Sequence, residues 1–348
     1  MAGILVNNIL PQPPILVPVS SSRSRSIRTL VMVKASAEPS ESVSVSTKSS
    51  DDTGAVVFTA PPGFKPPEPK RFAVKPGKLF DVLGAAIGLF FRFGTGVFVS
   101  GYSASFVSKD EVPADQYALR IGDGFVNRYG NHNGLMLCVG ITVKETSKLG
   151  PRPEKPIEIY EFEGYVREMV AVLDLDILYY PCPRGSPNFR PKVLQMGGKQ
   201  QFPYMVDPNT GVSMYESDGI IKYLSEKYGD GTVPLSLKLG PLTAITAGFA
   251  MIGRMGKGNL YTPAKLPPKP LEFWAYEGSP FCKLVREVLV ELELPHIQRS
   301  CARGSPKRQE LLRKAGHFQV PYLEDPNTGV NMFESAEIVE YLKQTYAA

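Results

Sequence analysis

The sequence predicts an α/β protein with two tandem domains of βαβαββα order, each preceded by an apolar, glycine-rich helix, and a disordered N-terminal region. Two alignments of the chain with itself lead to this prediction. REMVAVLDLDILYYPCPRGSP, from Arg167, matches REVLVELELPHIQRSCARGSP, from Arg286, without a gap. QFPYMVDPNTGVSMYES, from Gln201, matches QVPYLEDPNTGVNMFES, from Gln319. A repeat of this length marks a duplicated domain. Each copy, at about 75 residues, has the size of a small single-core unit.

The second copy shows the element order most clearly. LEFWAY predicts a strand, PFCKLVREVLVELEL a helix with apolar residues at helical spacing, and HIQRSC a second strand. Ser305 and Pro306 suit the start of the next helix. VPYLE and VNMFE flank DPNTG, which is typical of a tight reversal and predicts a hairpin. SAEIVEYLKQTY closes the unit as an amphipathic helix. A right-handed first crossover then gives each copy one mixed sheet with helices on both faces.

The first 35 residues have the composition of an organellar transit peptide, although a disordered basic tail is the alternative. No acidic residue precedes Glu38, and serine-rich sequence surrounds four cations: Arg23, Arg25, Arg28 and Lys34. Serine outweighs arginine, which favours a chloroplast (plastid) destination, in the stroma or membrane-associated. These cations account for most of the net charge of +5, so nothing indicates a nucleic-acid partner. Residues 36–78, rich in Ser, Pro, Glu and Lys, predict a disordered linker.

Two apolar stretches precede the two copies, in residues 79–106 and in the helix and linker of residues 231–268. Each ends in a basic glycine turn, RFGTG in the first and RMGKG in the second. Their uncharged cores of 10 and 15 residues are shorter than the roughly 20 that a spanning helix needs. Two interpretations stay open. The helices are buried against the domains or each other, or residues 79–106 and 238–256 attach to a membrane surface.

Residues 107–155 form a linker or insertion before the first domain, residues 156–230. This linker is roughly 48 residues longer than the one before the second domain, residues 269–348, and a structureless insert of that length is uncommon. It is therefore a disordered loop, a functional insertion or an error in the gene model. The first copy also lacks five residues where the second reads GSPFCK. Two departures from the repeat suggest alternative splicing around residues 120–142.

Three motifs carry a family resemblance: SPFC at the start of a helix, VP before the third strand and ES before the last helix. In this order they resemble the thioredoxin fold as used in glutaredoxins and in the N-terminal domain of glutathione transferases. The resemblance covers residues 157–229 and 271–346. The whole chain resembles plastid proteins with two tandem thioredoxin-like domains. The resemblance implies glutathione as ligand or cosubstrate.

Ser279 and Cys282 are the catalytic candidates. In glutaredoxin-like CPFC loops the first cysteine is the nucleophile, and here that position is Ser279, so dithiol exchange within the loop is impossible. The SPF motif also resembles that of plant transferases, whose serine hydrogen-bonds the glutathione sulfur where a helix N-terminus stabilises a thiolate. The alternative is that Ser279 only caps its helix and that Cys282 packs inward.

The resemblance places glutathione on Val320, Pro321, Glu334 and Ser335. Val320 and Pro321 take the place of the cis-proline dipeptide, which exposes backbone groups for strand-like pairing with a cysteinyl peptide. Glu334 and Ser335 suit the amine and carboxylate of the γ-glutamyl group, or Ser335 merely caps its helix. The degenerate counterparts in the first copy are Phe202, Pro203, Glu216 and Ser217.

Two classes of function remain. The first is an enzyme acting through the second domain, a glutathione transferase or a glutaredoxin-like, glutathione-linked thiol-disulfide oxidoreductase. Only 13 residues follow Ser335, so the helical domain that forms the acceptor pocket of transferases is missing. The second is a non-catalytic module in the plastid, for glutathione sensing or for contacts with redox proteins.

The remaining cysteines and the histidines predict no cofactor site. The four cysteines include no closely spaced pair and so indicate neither a zinc site nor a disulfide framework. Cys182 and Cys301 hold equivalent positions in the two copies, which leaves a mutual disulfide open. The three histidines are scattered and are expected at the surface: His132, His296 and His317.

Overall fold

The computed structural model describes residues 58–70, 73–113, 115–121 and 141–348. The predicted transit peptide, residues 1–35, lies outside these ranges, and so do residues 122–140 of the predicted insertion. The predicted fold class is confirmed, because two βαβαββα domains follow each other in the chain and each has a helix ahead of it.

The elements are numbered in chain order. The first part contains α1 (Leu79–Phe91), β1 (Ser103–Val107), β2 (Leu119–Ile121) and β3 (Ile141–Thr146). Domain 1 contains β4 (Ile157–Glu161), α2 (Val166–Val172), β5 (Ile177–Pro181), α3 (Phe189–Gly197), β6 (Tyr204–Asp207), β7 (Val212–Tyr215) and α4 (Ser217–Tyr228). The helix α5 (Pro241–Ile252) leads to domain 2. Domain 2 contains β8 (Leu271–Ala275), α6 (Pro280–Glu291), β9 (His296–Ser300), α7 (Lys307–Ala315), β10 (Tyr322–Asp325), β11 (Val330–Phe333) and α8 (Ser335–Tyr346).

The two domains share one eight-stranded sheet, in the order β11-β10-β8-β9-β5-β4-β6-β7. Their second strands, β5 and β9, pair antiparallel, with Leu178 opposite Ile297 at the centre of the register. Within each domain the first two strands are parallel. An exposed strand edge invites pairing with other chains, and here each domain covers that edge of the other.

Successive side chains of a strand point to opposite faces of the sheet, so each domain has one apolar core on each face. In β8, Leu271 and Phe273 belong to the core under α6 and α8. Trp274, the residue after Phe273, points to the other face and belongs to the core that contains Leu311 of α7. Domain 1 has the same arrangement, with α2 and α4 on one face and α3 on the other.

The helices α1 and α5 pack against each other, and α1 also packs against α6. The contact passes through glycine, since a Cβ atom on Gly253 would lie 2.6 Å from the carbonyl oxygen of Gly84. The end of each helix lies at the start of the other: Arg92 donates to Thr243 O at 3.1 Å, and Arg254 donates to Asp81 O at 2.8 Å. Each apolar helix therefore buries one side against protein, and α1 ends well before residue 106.

Residues 58–70 differ from the disordered linker expected over residues 36–78. They run across α8, where the ring of Phe58 lies 5.0 Å from that of Tyr346 and the ring of Phe64 lies 5.0 Å from that of Tyr341. Phe58 and Phe64 of this proline-rich segment thus pack on the surface of α8, a contact that amino-acid composition does not predict. We call residues 58–70 the strap.

The described part of the insertion is folded and packs on domain 2. With β1, which directly precedes it in the chain, it forms an antiparallel sheet in the order β1-β3-β2. Arg303 donates to Glu145 at 2.6 Å, and the Tyr117 backbone N–H donates to Gln309 at 2.5 Å. Of the alternatives left open by the sequence, a disordered loop does not describe these residues.

Cys182 and Cys301 are both buried and free, so they form no mutual disulfide. The surface position expected for the histidines is wrong for His296, which is fully buried beside Tyr179 at the junction of the domains. Its Nδ1 lies 2.9 Å from Leu294 O, and burial lowers its pKa to about 3. His296 is therefore a neutral interior residue.

Candidate functional site

Ser279 occupies the N-cap position of α6. Its Oγ accepts a hydrogen bond from the backbone N–H of Cys282 at 3.3 Å, and Pro280 follows at the first helical position. The hydroxyl keeps its own proton to donate. Only 6% of Ser279 is exposed. The capping role that the sequence left open is therefore present in the structure.

Cys282 lies in the core rather than on the surface of the loop. It is 1% exposed and packs in the cluster that contains Leu289 and Ile338. Burial raises the pKa of its thiol to about 11, although the Ser279 hydroxyl favours the charged form. A nucleophilic cysteine must be a thiolate, and this environment keeps the sulfur protonated near neutral pH.

Replacing Cys282 with serine should lower the free energy of unfolding by about 1–2 kcal/mol, because burying a hydroxyl in an apolar core costs more than burying a thiol. Urea denaturation of the full chain measures the loss. Cys282→Ala is the matched variant, since it removes the sulfur without adding a polar group. If Cys282→Ser instead leaves stability unchanged and abolishes reduction of a disulfide by glutathione, Cys282 is a catalytic thiol.

The loop before α6 is covered by the linker that follows α1. A Cβ atom on Gly278 would lie 2.5 Å from a methyl group of Val97. Val97 O accepts from Arg303 N at 2.8 Å, and Val99 N donates to Arg303 O at 2.9 Å. The linker from the first apolar helix therefore crosses to domain 2 and lies over Gly278, next to Ser279.

Glu334 and its counterpart Glu216 have left-handed backbone conformations, with φ of 72° and 69°. Non-glycine residues rarely adopt them, and they concentrate at functional sites. The Glu334 carboxylate accepts a hydrogen bond from the Gln319 side chain at 2.8 Å and one from the Lys70 backbone N–H at 2.6 Å. The Glu334 side chain does not cap α8, which begins at Ser335. Glu334 thus presents a carboxylate beside the amide groups of a helix N-terminus.

The Val320–Pro321 peptide bond is cis, as is Phe202–Pro203 in domain 1. Val320 packs against the core cluster that contains Cys282 and remains partly exposed. The structure therefore brings Val320 and Cys282 to one cluster, and it places Glu334 beside Gln319, the residue before Val320.

A cleft of about 740 Å³ lies between residues 67–70 and 73–82 on one side and α6 and α8 on the other. Its lining combines charged side chains with the apolar side chains of Phe281, Leu284 and Val339, and it includes Glu334 and Ser335. Ser279, Val320 and Pro321 are not on that lining. Glu334 and Ser335 thus face the cleft, whereas Ser279, Val320 and Pro321 lie beside the covered loop.

Comparison with known families agrees with this geometry. Residues 162–232 and 273–348 match the family model described as glutathione S-transferase, N-terminal domain. The chain carries this domain twice.

A curated relative matches a shorter stretch. It is the glutathione S-transferase-like protein gedE of Aspergillus terreus (strain NIH 2624 / FGSC A1156), 34% identical over 77 residues. The match covers 22% of this chain and 34% of that protein, so the chain spans about a third of the relative's length. No solved structure matches the chain significantly.

The first glutathione S-transferase N-terminal domain lacks the loop that holds Ser279 in the second. Its α2 begins at Val166, directly after Glu163, Gly164 and Tyr165. Glu163 lies 4.0 Å from Arg286 of domain 2, and the Tyr165 hydroxyl donates to Asp218 at 3.1 Å. The shortened loop therefore contacts domain 2 and carries no serine.

Phe202 and Pro203 of the first glutathione S-transferase N-terminal domain are enclosed by neighbouring side chains. The guanidinium of Arg190 lies 4.6 Å from the Phe202 ring and 5.6 Å from the Phe162 ring. Glu216 accepts from Gln201 at 2.5 Å, and Ser217 opens α4. Domain 1 thus has a glutamine–glutamate contact equivalent to that of Gln319 and Glu334, but it lacks the loop that holds Ser279 in domain 2.

Sequence reasoning missed Gln319 and the Lys70 backbone N–H, the two groups that donate to Glu334. A signal for the first was present, because glutamine precedes the cis-proline dipeptide in both copies, as Gln201 and Gln319. No signal marked Lys70, since a backbone contact made across a long sequence separation leaves no pattern in side chains.

Proposed function

We propose that domain 2 binds glutathione and that it holds the ligand without thiol-disulfide exchange at Cys282. The observation that carries the proposal is the carboxylate of Glu334, which lies at the start of α8 in a left-handed conformation and already accepts two N–H donors. The two matches to the glutathione S-transferase N-terminal domain support the choice of ligand.

The γ-glutamyl and cysteinyl parts of glutathione each have a partner of suitable chemistry in this arrangement. The γ-glutamyl ammonium pairs with the Glu334 carboxylate, and the γ-glutamyl carboxylate accepts from amide groups at the start of α8. The backbone of the cysteinyl residue pairs with Val320 in the manner of an added strand. The sulfur reaches Ser279 only if the linker at Val97 moves, so affinity rests mainly on Glu334 and Val320.

Replacing Glu334 with glutamine should weaken glutathione binding at least about tenfold, because it removes a charge-assisted hydrogen bond to the ligand amine. Isothermal titration of the full chain with glutathione measures the change. Glu216→Gln is the matched control in domain 1 and should leave the affinity unchanged. Equal affinity in Glu334→Gln, or an equal loss in Glu216→Gln, would contradict the proposal.

The cleft favours a second candidate, a glutathione transferase. Its lining beside Glu334 includes the apolar side chains Phe281, Leu284 and Val339, which offer a wall for an apolar acceptor. Conjugation of an electrophile by the full chain tests this function, with Ser279→Ala expected to remove most of the rate. No conjugation by the wild-type chain returns the protein to the binding role, whereas turnover that survives Ser279→Ala shows that Ser279 does not hold the glutathione thiolate.

We also propose that residues 1–35 direct the protein to the plastid, on the support of their acid-free, serine- and arginine-containing composition. A fluorescent reporter fused behind residues 1–57 should enter plastids, and a fusion that begins at residue 58 should not. A reporter that reaches another compartment, or none, would contradict the proposal. In the plastid, a domain that binds glutathione without turnover suits sensing or contacts with redox proteins.

A further inference from the structure

The two apolar helices expose large apolar side chains at the same five positions of their repeat. In both units these positions follow the spacing of one helix face and end in the glycine turn. Between 39% and 89% of each side chain is exposed. The first unit contributes Phe80, Leu83, Ile87, Phe90 and Phe93; the second contributes Leu242, Ile245, Phe249, Ile252 and Met255.

These side chains form one surface, which we call the apolar face. The helices lie against each other, and the ring of Phe91 lies 5.7 Å from the ring of Phe90 and 5.9 Å from the ring of Phe249, so it joins the two rows. The opposite side of α1 is buried, through Gly84, Ala85 and Gly88. A soluble monomer rarely exposes so many large apolar groups together, and such patches mark interaction surfaces.

The charges around the apolar face are predominantly positive. Residues 79–96 and 238–258 contain four cations and one acid, Asp81. Arg92 and Arg254 are buried and paired with Glu168 and Glu287, so Lys238 and Lys257, with Lys78 just before α1, supply the exposed positive charge. Asp81 is itself held by Arg254 and Lys257, at 3.2 and 2.5 Å. Lys78 and Lys257 lie at one end of the helix pair. Lys238 lies near the other end, because the hydroxyl of Ser236 is 2.5 Å from that of Thr95.

In the described part of the chain, no helix is long and apolar enough to cross a membrane. A helix of 13 residues, such as α1, is roughly 20 Å long, whereas the hydrocarbon core of a bilayer is about 30 Å thick.

We propose that the apolar face docks on the surface of an anionic lipid bilayer, with α1 and α5 lying in the plane of the interface. Apolar side chains of this size enter the boundary between headgroups and acyl chains, while lysines at the ends of the helices contact anionic headgroups. The positive rim favours this occupant over a second copy of the chain, since two like-charged rims would repel each other across a symmetric interface.

Flotation of the full chain with vesicles tests the proposal, which is independent of glutathione binding. Wild-type protein should bind vesicles of equal parts phosphatidylcholine and phosphatidylglycerol, bind phosphatidylcholine alone less, and be released by salt. The double variant Phe90→Ser/Ile252→Ser should bind at least about tenfold more weakly. Both side chains are exposed, so the fold should tolerate the change, and urea denaturation checks this.

The matched control is Leu194→Ser/Met196→Ser, which removes two exposed apolar side chains from α3 on the opposite face of the sheet. It should bind vesicles like wild type. The proposal fails if wild type binds neither vesicle, or if the two double variants behave alike. It also fails if the chain is a dimer that Phe90→Ser/Ile252→Ser dissociates, since the apolar face is then an interface between copies.

Discussion

Replacing Arg254 with alanine should lower the free energy of unfolding by about 3–5 kcal/mol, because it leaves a buried charge without its partner. Arg254 is 5% exposed, and its Nε and Nη2 donate to the two carboxylate oxygens of Glu287 at 2.7 and 2.8 Å. Its Nη1 donates to Asp81 O at 2.8 Å. Burial raises the pKa of Glu287, and Arg254 opposes that rise. One side chain thus joins α5, α6 and the start of α1.

Urea denaturation separates this explanation from a general effect of removing a cation. Lys222→Ala removes an exposed ion pair with Glu226, 4.0 Å long, and should change stability by less than about 0.5 kcal/mol. The double variant Arg254→Met/Glu287→Leu should recover most of the lost stability, because no unpaired charge stays buried. A single variant as stable as wild type would show that solvent reaches Glu287 in place of the guanidinium.

A second buried arginine–glutamate ion pair lies at the other end of the helix pair. Arg92 donates to both oxygens of Glu168 in α2, at 2.6 and 2.8 Å, and to Thr243 O in α5. Burial raises the pKa of Glu168 to about 7, and Arg92 acts against that rise. Each arginine follows an apolar helix, bonds a glutamate in the domain after that helix and reaches the start of the other helix. The duplication therefore extends to the long-range contacts.

Local structure could be predicted from the sequence because its causes are local. DPNTG forms the hairpin between β10 and β11, and Ser305 Oγ accepts from Lys307 N at 3.1 Å at the start of α7. The cis-proline dipeptides lie where the family resemblance implies. Even here the structure adds a role, since Asp325 at the turn accepts hydrogen bonds from the hydroxyls of Tyr341 and Tyr346.

Contacts between units could not be predicted in the same way. The strands β5 and β9 are equivalent in the two copies, and each has a free edge within its own domain. A sequence pattern within one copy does not predict that these two edges pair with each other. Val97 covers the loop at Gly278, yet it lies far away in sequence and belongs to a linker that reads as irregular. The sequence therefore predicted candidate site residues in one copy, while it gave no sign that the strap and the linker cover them.

The apolar face is another feature that the sequence predicted only in part. The sequence left burial and membrane attachment as alternatives, and the structure shows that one side of α1 is packed against protein while the other side is exposed. Gly84 lies on the packed side of α1, and Phe90 lies on its exposed side. The glycines are what let two helices with outward aromatic groups approach each other closely, so the packing and the exposed face depend on the same contact.

Replacing Gly84 with valine should therefore cost about 3 kcal/mol of unfolding free energy, at the upper end of the cost of overpacking. A Cβ atom on Gly84 would overlap the carbonyl oxygen of Gly253, and backbone cannot rotate away as a flexible side chain does. Gly248→Val in α5 is the matched control, because a Cβ atom there meets nothing within 4 Å. Its stability should stay within about 0.5 kcal/mol of wild type, as the helix propensities of the two residues differ little. Urea denaturation of both variants measures the difference. If Gly84→Val is as stable as Gly248→Val, the helices have room to separate, and the close approach of α1 and α5 does not hold the apolar face together.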